Sequence, residues 1–222
     1  MPKWSWVCLL LAMTLLPLGA QEKVVLGPNV EVQLLAPGIW RHVTYQVTAQ
    51  WGRAAANGLV VLDRGHAVLV DTPWTPEQTA VLLDWLENKL GAKVDAVVVC
   101  HSHADCLGGL PEVHRRGIAS IGLDKTRELA LAAGVEAPRQ GFAGERRLKA
   151  GGRELELFYP GPGHTVDNVV VWLADERVLF GGCLLKSADA PSLGNTAEAD
   201  VAAWPASLRA VKGRYQALRL VV

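Results

Sequence analysis

Net charge is the first thing this sequence does without: 22 Lys and Arg are matched by 22 Asp and Glu. A chain with no basic excess lacks the electrostatic footprint of a non-specific nucleic-acid binder, so that class of partner is not expected. A second long apolar run is also missing, so nothing beyond the N-terminal stretch is long enough to span a bilayer. No internal repeat and no low-complexity linker break the 222 residues, which leaves one domain or two small halves around one core. Cysteine is scarce, with four in the chain: Cys8, Cys100, Cys106 and Cys183. Cys8 lies in the N-terminal apolar run, and an odd remainder of three does not make a disulfide scaffold. At least one thiol is therefore free, reactive or metal-bound.

What is present begins with an export pattern. A basic start, Met1-Pro2-Lys3, leads into an apolar run from Trp4 to Leu18, closed by Gly19-Ala20 before the polar Gln21-Glu22. The run is short for a membrane anchor and contains Pro17, so residues 1–20 read as a cleaved signal and residues 21–222 as the folded domain. Cys8 has no lipid-attachment context, and no membrane association is expected after cleavage.

Strand and helix signals alternate along the rest. Val24 to Leu35 reads as two short strands around Gly27-Pro28-Asn29, and Ile39 to Gln50 as another hairpin, with Trp40, Arg41 and His42 near its loop. Gly58–Asp63 and Ala67–Asp71 flank the turn Arg64-Gly65. Thr75 caps a helix with Pro76 in its first turn, Gln78 positioned for a capping box, and an apolar stripe of Leu82, Trp85, Leu86 and Leu90 up to Gly91. Asp95–Cys100 is an unbroken buried strand, and Ile118–Ile121 another. Asp124 caps a helix that runs to Ala133. Strands follow at Leu148–Lys149, Glu154–Phe158, Val169–Leu173 and Val178–Phe180, then a helix near Trp204–Lys212 and a strand at Leu218–Val222. This order suggests an α/β (α+β) fold of sheets with helices outside.

Three loops carry the chemistry, each directly after an expected strand. His101-Ser102-His103-Ala104-Asp105-Cys106-Leu107-Gly108-Gly109 offers two histidines that can turn to one ion and an aspartate that can reach a neighbouring one. The glycine pair would let the backbone turn sharply beneath the site. His164 sits in Gly161-Pro162-Gly163-His164-Thr165, and Cys183 in Gly181-Gly182-Cys183. Taken singly these are a loop histidine and a buried thiol. Taken together, three strand ends can deliver them to one sheet edge, where α/β folds place their sites.

His101-x-His103-x-Asp105 followed by His164 and Cys183 resembles the metallo-β-lactamase superfamily over about residues 22–222. Cys106 stands where glyoxalase-type members have histidine, and Cys183 where they have an acidic residue. With Gly181-Gly-Cys-Leu-Leu-Lys186 and Leu193-Gly-Asn195, the chain is similar to subclass B1, the zinc β-lactamases. The resemblance implies an αβ/βα sandwich of two central mixed β-sheets with helices on the outer faces. It implies two zinc ions, the first on His101, His103 and His164, the second on Asp105 and Cys183. Lys186 would bind the substrate carboxylate, Asn195 would lie at the lactam carbonyl, and Trp40 would give an apolar contact from a flap hairpin. Asp71 and Thr165 are candidates to orient ligands. The implied reaction is metal-assisted hydrolysis of the β-lactam amide of penicillins, cephalosporins and carbapenems, hence antibiotic resistance in a bacterial periplasm, by a monomer. Zinc lowers the pKa of bound water to about 7, and no Ser-x-x-Lys motif offers a serine route.

The chain departs from that pattern at one end. The family's second zinc takes a third ligand from a Pro-x-His loop after the last strand, whereas this sequence ends at Val222 within Leu218-Arg-Leu-Val-Val. The domain is therefore expected to be incomplete at its C-terminus and its second site to lack one ligand. Two alternatives stay open: another hydrolase of this fold acting on thioesters or lactones, and an inactive zinc-binding fragment.

Overall fold

A computed structural model describes residues 23–190 and 192–222, so the export signal expected over residues 1–20 lies outside the described residues. The described residues form two sheets. The first holds eight strands in sequence order: β1 (Lys23–Gly27), β2 (Val30–Ala36), β3 (Ile39–Thr48), β4 (Gly52–Asp63), β5 (His66–Val70), β6 (Lys93–Val99), β7 (Ala119–Leu123) and β8 (Gln140–Phe142). The second holds β9 (Glu145–Ala150), β10 (Arg153–Phe158), β11 (Val170–Leu173), β12 (Val178–Phe180) and β13 (Leu220–Val221), in the order β13-β12-β11-β10-β9.

Pairing follows connection length. Strands β1 to β5 are joined by short turns and run antiparallel, whereas β5 to β8 run parallel. A parallel neighbour needs a crossover, and helices supply it. α1 (Pro76–Leu90) precedes β6, α2 (Ala104–Leu107) and α3 (Leu110–Arg115) precede β7, and α4 (Asp124–Ala132) precedes β8. The second sheet is antiparallel except for β13, which reaches β12 in parallel after α5 (Trp204–Arg214).

The two-residue alternation of strand side chains divides the core into layers. On β6, Ala96 and Val98 face the second sheet, while Val97 and Val99 face the helices. Leu155, Leu157, Val171 and Phe180 meet the inner layer from the other sheet. Leu82, Leu83 and Leu86 of α1 are buried against the outer face of the first sheet, at about 1.5–3 kcal/mol each. Trp204 and Val211 of α5 cover the outer face of the second. The order of layers is helix, sheet, sheet, helix: the αβ/βα sandwich with two mixed sheets.

Local expectations differ in four places. Ile39 to Gln50 is not a hairpin but one long strand, β3, whose partner β4 starts at Gly52 with φ +63°. The turn therefore falls at residues 49–51, and Trp51 stands exposed at the tip. Thr75 does cap α1, its Oγ1 accepting from the Gln78 N–H at 3.3 Å. No capping box forms, because the Gln78 side chain donates instead to the Tyr45 carbonyl of β3 at 2.8 Å. Asp124 lies inside α4 rather than capping it. Gly108 and Gly109 have ordinary helical φ values of −60° and −89°. They are needed for close approach: a Cβ at Gly108 would collide with the Trp74 carbonyl oxygen, and one at Gly109 with the Thr79 hydroxyl.

Candidate active site

Four strand ends of the two sheets open on the same edge of the sandwich. β5 ends at Val70 and delivers Asp71; β6 ends at Val99 and delivers Cys100, His101 and His103. The loop after β10 carries His164, and the turn after β12 carries Cys183 in a short 3-10 helix (Gly182–Leu184). Gly182 has φ +50°, a left-handed geometry that suits glycine and sets the direction of Cys183. The two sheets are stitched at this edge by the Val169 N–H donating to the Cys100 carbonyl at 2.8 Å.

His101, His103 and His164 meet there. Their ring centroids are 4.7 Å, 5.2 Å and 5.1 Å apart, and His164 Nε2 lies 3.3 Å from His103 Nδ1. One ligand atom from each falls within 4.8 Å of the others. A second group, His101, Asp105 and Cys183, meets the same limit, with Cys183 Sγ 3.5 Å from Asp105 Oδ2.

Burial sets the protonation of His101 and His164. Desolvation first, then the neighbouring His101, Lys186 and His103, depress His164 to a pKa of about 3. Burial also lowers His101, against the pull of Asp105. Neutral imidazoles present lone pairs, the form a metal ligand needs. Burial raises the Cys183 thiol, with Asp105 adding to the rise, and a coordinated cation would reverse that by deprotonating it.

The donor set fits zinc. His101 Nε2 is buried with no hydrogen-bond partner, and His164 Nε2 and His103 Nδ1 face each other at 3.3 Å. Three imidazole nitrogens beside a carboxylate and a thiol match the ligand preferences of that ion. A cavity of about 540 Å³ adjoins the cluster, lined among others by Arg41, Asn57, Asp105, Cys183 and Lys186.

The other expected residues divide. Lys186 is exposed on the cavity wall, its Nζ 5.9 Å from the Trp204 ring. Asn195 is half-buried and closes a local turn, its Oδ1 accepting from the Ala197 N–H at 3.1 Å. Trp40 is not brought to the site. It points to the outer face of the first sheet, edge-on to Trp85 of α1 at 5.1 Å, because its position on β3 has the parity of the helix-facing layer. His42 has the opposite parity and is buried, its Nε2 3.2 Å from the Asp71 carbonyl.

The two residues proposed to orient ligands act differently. Asp71 Oδ1 accepts from the Cys100 N–H at 2.7 Å and so fixes the backbone that carries His101; burial pushes its pKa up to about 8. Thr165 bonds Asn168 through its N–H and hydroxyl, shaping the loop rather than the His164 ring. Cys106 Sγ lies 3.1 Å from His101 Nδ1, and Glu198 Oε2 lies 2.8 Å from His103 Nε2. Sequence reading missed Glu198 altogether. No spacing rule connects positions 103 and 198. All three cysteines among the described residues are free thiols.

Residues 51–214 match the family model described as the metallo-beta-lactamase superfamily. A metallo-beta-lactamase type 2 of Bacteroides fragilis is 37% identical over 203 residues, covering 91% of this chain and 82% of the relative. One of Bacillus cereus is 39% identical over 195 residues, covering 87% and 75%. Among solved structures, a metallo-beta-lactamase from Pontibacter korlensis superimposes with a TM-score of 0.83 at 38% identity, covering 87% of this chain and 89% of that one. The FIM-1 enzyme of Pseudomonas aeruginosa in its mono-zinc form gives 0.82 at 31%, covering 87% and 86%.

Proposed function

The chain belongs to the metallo-β-lactamase superfamily, and from that premise we propose that it hydrolyses the amide bond of β-lactams with zinc held at the histidine cluster. The observation that carries this reading is the convergence of three imidazoles beside Asp105 and Cys183 at the edge of the cavity, with burial holding His101 and His164 neutral. His101, His103 and His164 would hold a first ion, and Asp105 and Cys183 a second. Bound zinc acidifies water to a pKa of about 7 and polarises a carbonyl.

The protein's own side chains do the rest. The cavity volume of about 540 Å³ suits a small molecule. Lys186, exposed at its wall, holds the substrate carboxylate. Asn195 donates to the lactam carbonyl oxygen as negative charge develops there. For Asn195 this requires its Nδ2 to turn toward the substrate while Oδ1 keeps the Ala197 turn. Asp105 orients the attacking oxygen. Trp40 has no part, being held under α1. No helix among the described residues is long and apolar enough to cross a membrane. With the signal reading of residues 1–20, the protein would act as a periplasmic monomer whose residues 21–222 form one domain.

The test is hydrolysis of a carbapenem and a chromogenic cephalosporin by the purified protein, with added zinc and with chelator. Turnover that chelator abolishes and zinc restores is the expected result. Zinc uptake with hydrolysis of thioesters or lactones but no β-lactam turnover would refute the substrate assignment.

A further inference from the structure

Each histidine of the cluster turns one nitrogen inward and one outward, and the outward nitrogens are partnered unequally. His101 Nδ1 faces the Cys106 thiol at 3.1 Å. His164 Nδ1 is buried and has no partner. His103 Nε2 alone faces a carboxylate, Glu198 Oε2 at 2.8 Å. For His103 to offer its Nδ1 lone pair inward, the ring proton must sit on Nε2, where it donates to Glu198. A carboxylate in that position selects the tautomer, fixes the ring plane and raises the basicity of the inward nitrogen.

Glu198 belongs to the stretch between Lys186 and Trp204, which contains no strand or helix among its described residues. That stretch also carries Asn195, three residues earlier, in a turn that runs into Ala197. It has a second fastening to the cluster: the Asp200 N–H donates to the carbonyl of Gly163, the neighbour of His164, at 2.9 Å. Asp200 Oδ1 then accepts from the Ala203 N–H at 2.9 Å at the start of α5. The segment is thus tied to the loops of two cluster histidines, once through a side chain and once through backbone.

We infer that Glu198 is a positioning residue that couples metal binding at His103 to the placement of the segment carrying Asn195. The coupling is reciprocal: metal at the cluster orders the segment, and an ordered segment tightens metal binding. This rests on the reading of the cluster as a zinc site. The Glu198 side chain is 69% exposed, so solvent screens the pair and its effect falls at the low end of what outer partners give, about tenfold in metal affinity.

The test needs no β-lactam. Zinc affinity is measured by competition with a chromophoric chelator, and backbone amide exchange over residues 187–200 is followed with and without zinc. The full chain is compared with Glu198→Ala and the isosteric Glu198→Gln. Wild type should bind zinc and slow exchange in the segment. Glu198→Ala should bind about tenfold more weakly, with the zinc-dependent slowing lost. Glu198→Gln, which keeps an acceptor without the charge, should fall between them. Zinc affinity in both variants within twofold of wild type, or an unchanged zinc effect on exchange in Glu198→Ala, would overturn the coupling. A wild-type protein that takes up no zinc would overturn the metal reading itself.

Discussion

His42 illustrates how a single residue's chemistry follows from its layer. Its position on β3 turns it inward, where its ring packs on Gly58 and lies beside the Asp71 carbonyl, and burial depresses its pKa from 6.5 to about 4. A histidine whose folded pKa is depressed favours the fold when neutral. Its contribution is fully present above pH 6.5 and is lost as pH falls toward 4. The shift corresponds to about 3 kcal/mol over that window. His42→Gln keeps a donor near the Nε2 position but cannot ionise. We expect this variant to be less stable than wild type at pH 7 and to lose less stability between pH 7 and 4.5. Urea unfolding in the presence of chelator reads the difference. His101 and His164 titrate in both proteins, so their part cancels. Parallel loss in the two would show that His42 does not carry this dependence.

Among the elements, α1 does two jobs. It covers the outer face of the first sheet through Leu82, Leu83 and Leu86, and it grips the β3–β4 hairpin through Gln78 and the Tyr45 carbonyl. Its start is written in sequence as Thr75-Pro76, and the Thr75 hydroxyl caps it through the Gln78 N–H while the Gln78 side chain is committed elsewhere. Thr75→Ala should therefore cost about 1 kcal/mol, seen as a lower urea midpoint with an unchanged slope. No measurable change would mean that Pro76 and the buried face alone define the helix start. The hairpin itself was only partly legible. Turn chemistry at residues 49–52 is weak, so its length emerged only from the register that pairs Thr48 with Gly52 and Ile39 with Val61.

At the scale of the whole molecule, both sheets contribute loops to one edge, so ion binding there should stabilise the entire sandwich. Three histidines held close together beside Asp105 and Cys183 make a ligand set in the folded state that the unfolded chain does not have. Free zinc at one hundred times its dissociation constant should raise stability by about 2.7 kcal/mol, and chelator should reverse it. Thermal unfolding across a zinc series would show a rising midpoint. A midpoint indifferent to zinc would place the ion elsewhere or nowhere.

The unbroken apolar run of β6, the apolar stripe of α1 and the order of strand and helix signals were enough to indicate sheets with helices outside. Strand-end loops bearing His101, His103, Asp105, His164 and Cys183 were enough to indicate a metal centre, because ligand type and spacing are local properties. Parity along β3 was not readable from those signals. It depends on which face of the strand meets a helix, and it sent Trp40 under α1 and His42 into the interior. Nor was the role of Gly108 and Gly109, whose negative φ values are unremarkable until Trp74 and Thr79 press against them. The partnership of His103 with Glu198 joins residues 95 positions apart. Residue type and spacing along the chain name the groups able to bind metal. Which nitrogens face inward, and what holds them there, rests on contacts between distant segments, and those exist only once the two sheets have closed on each other.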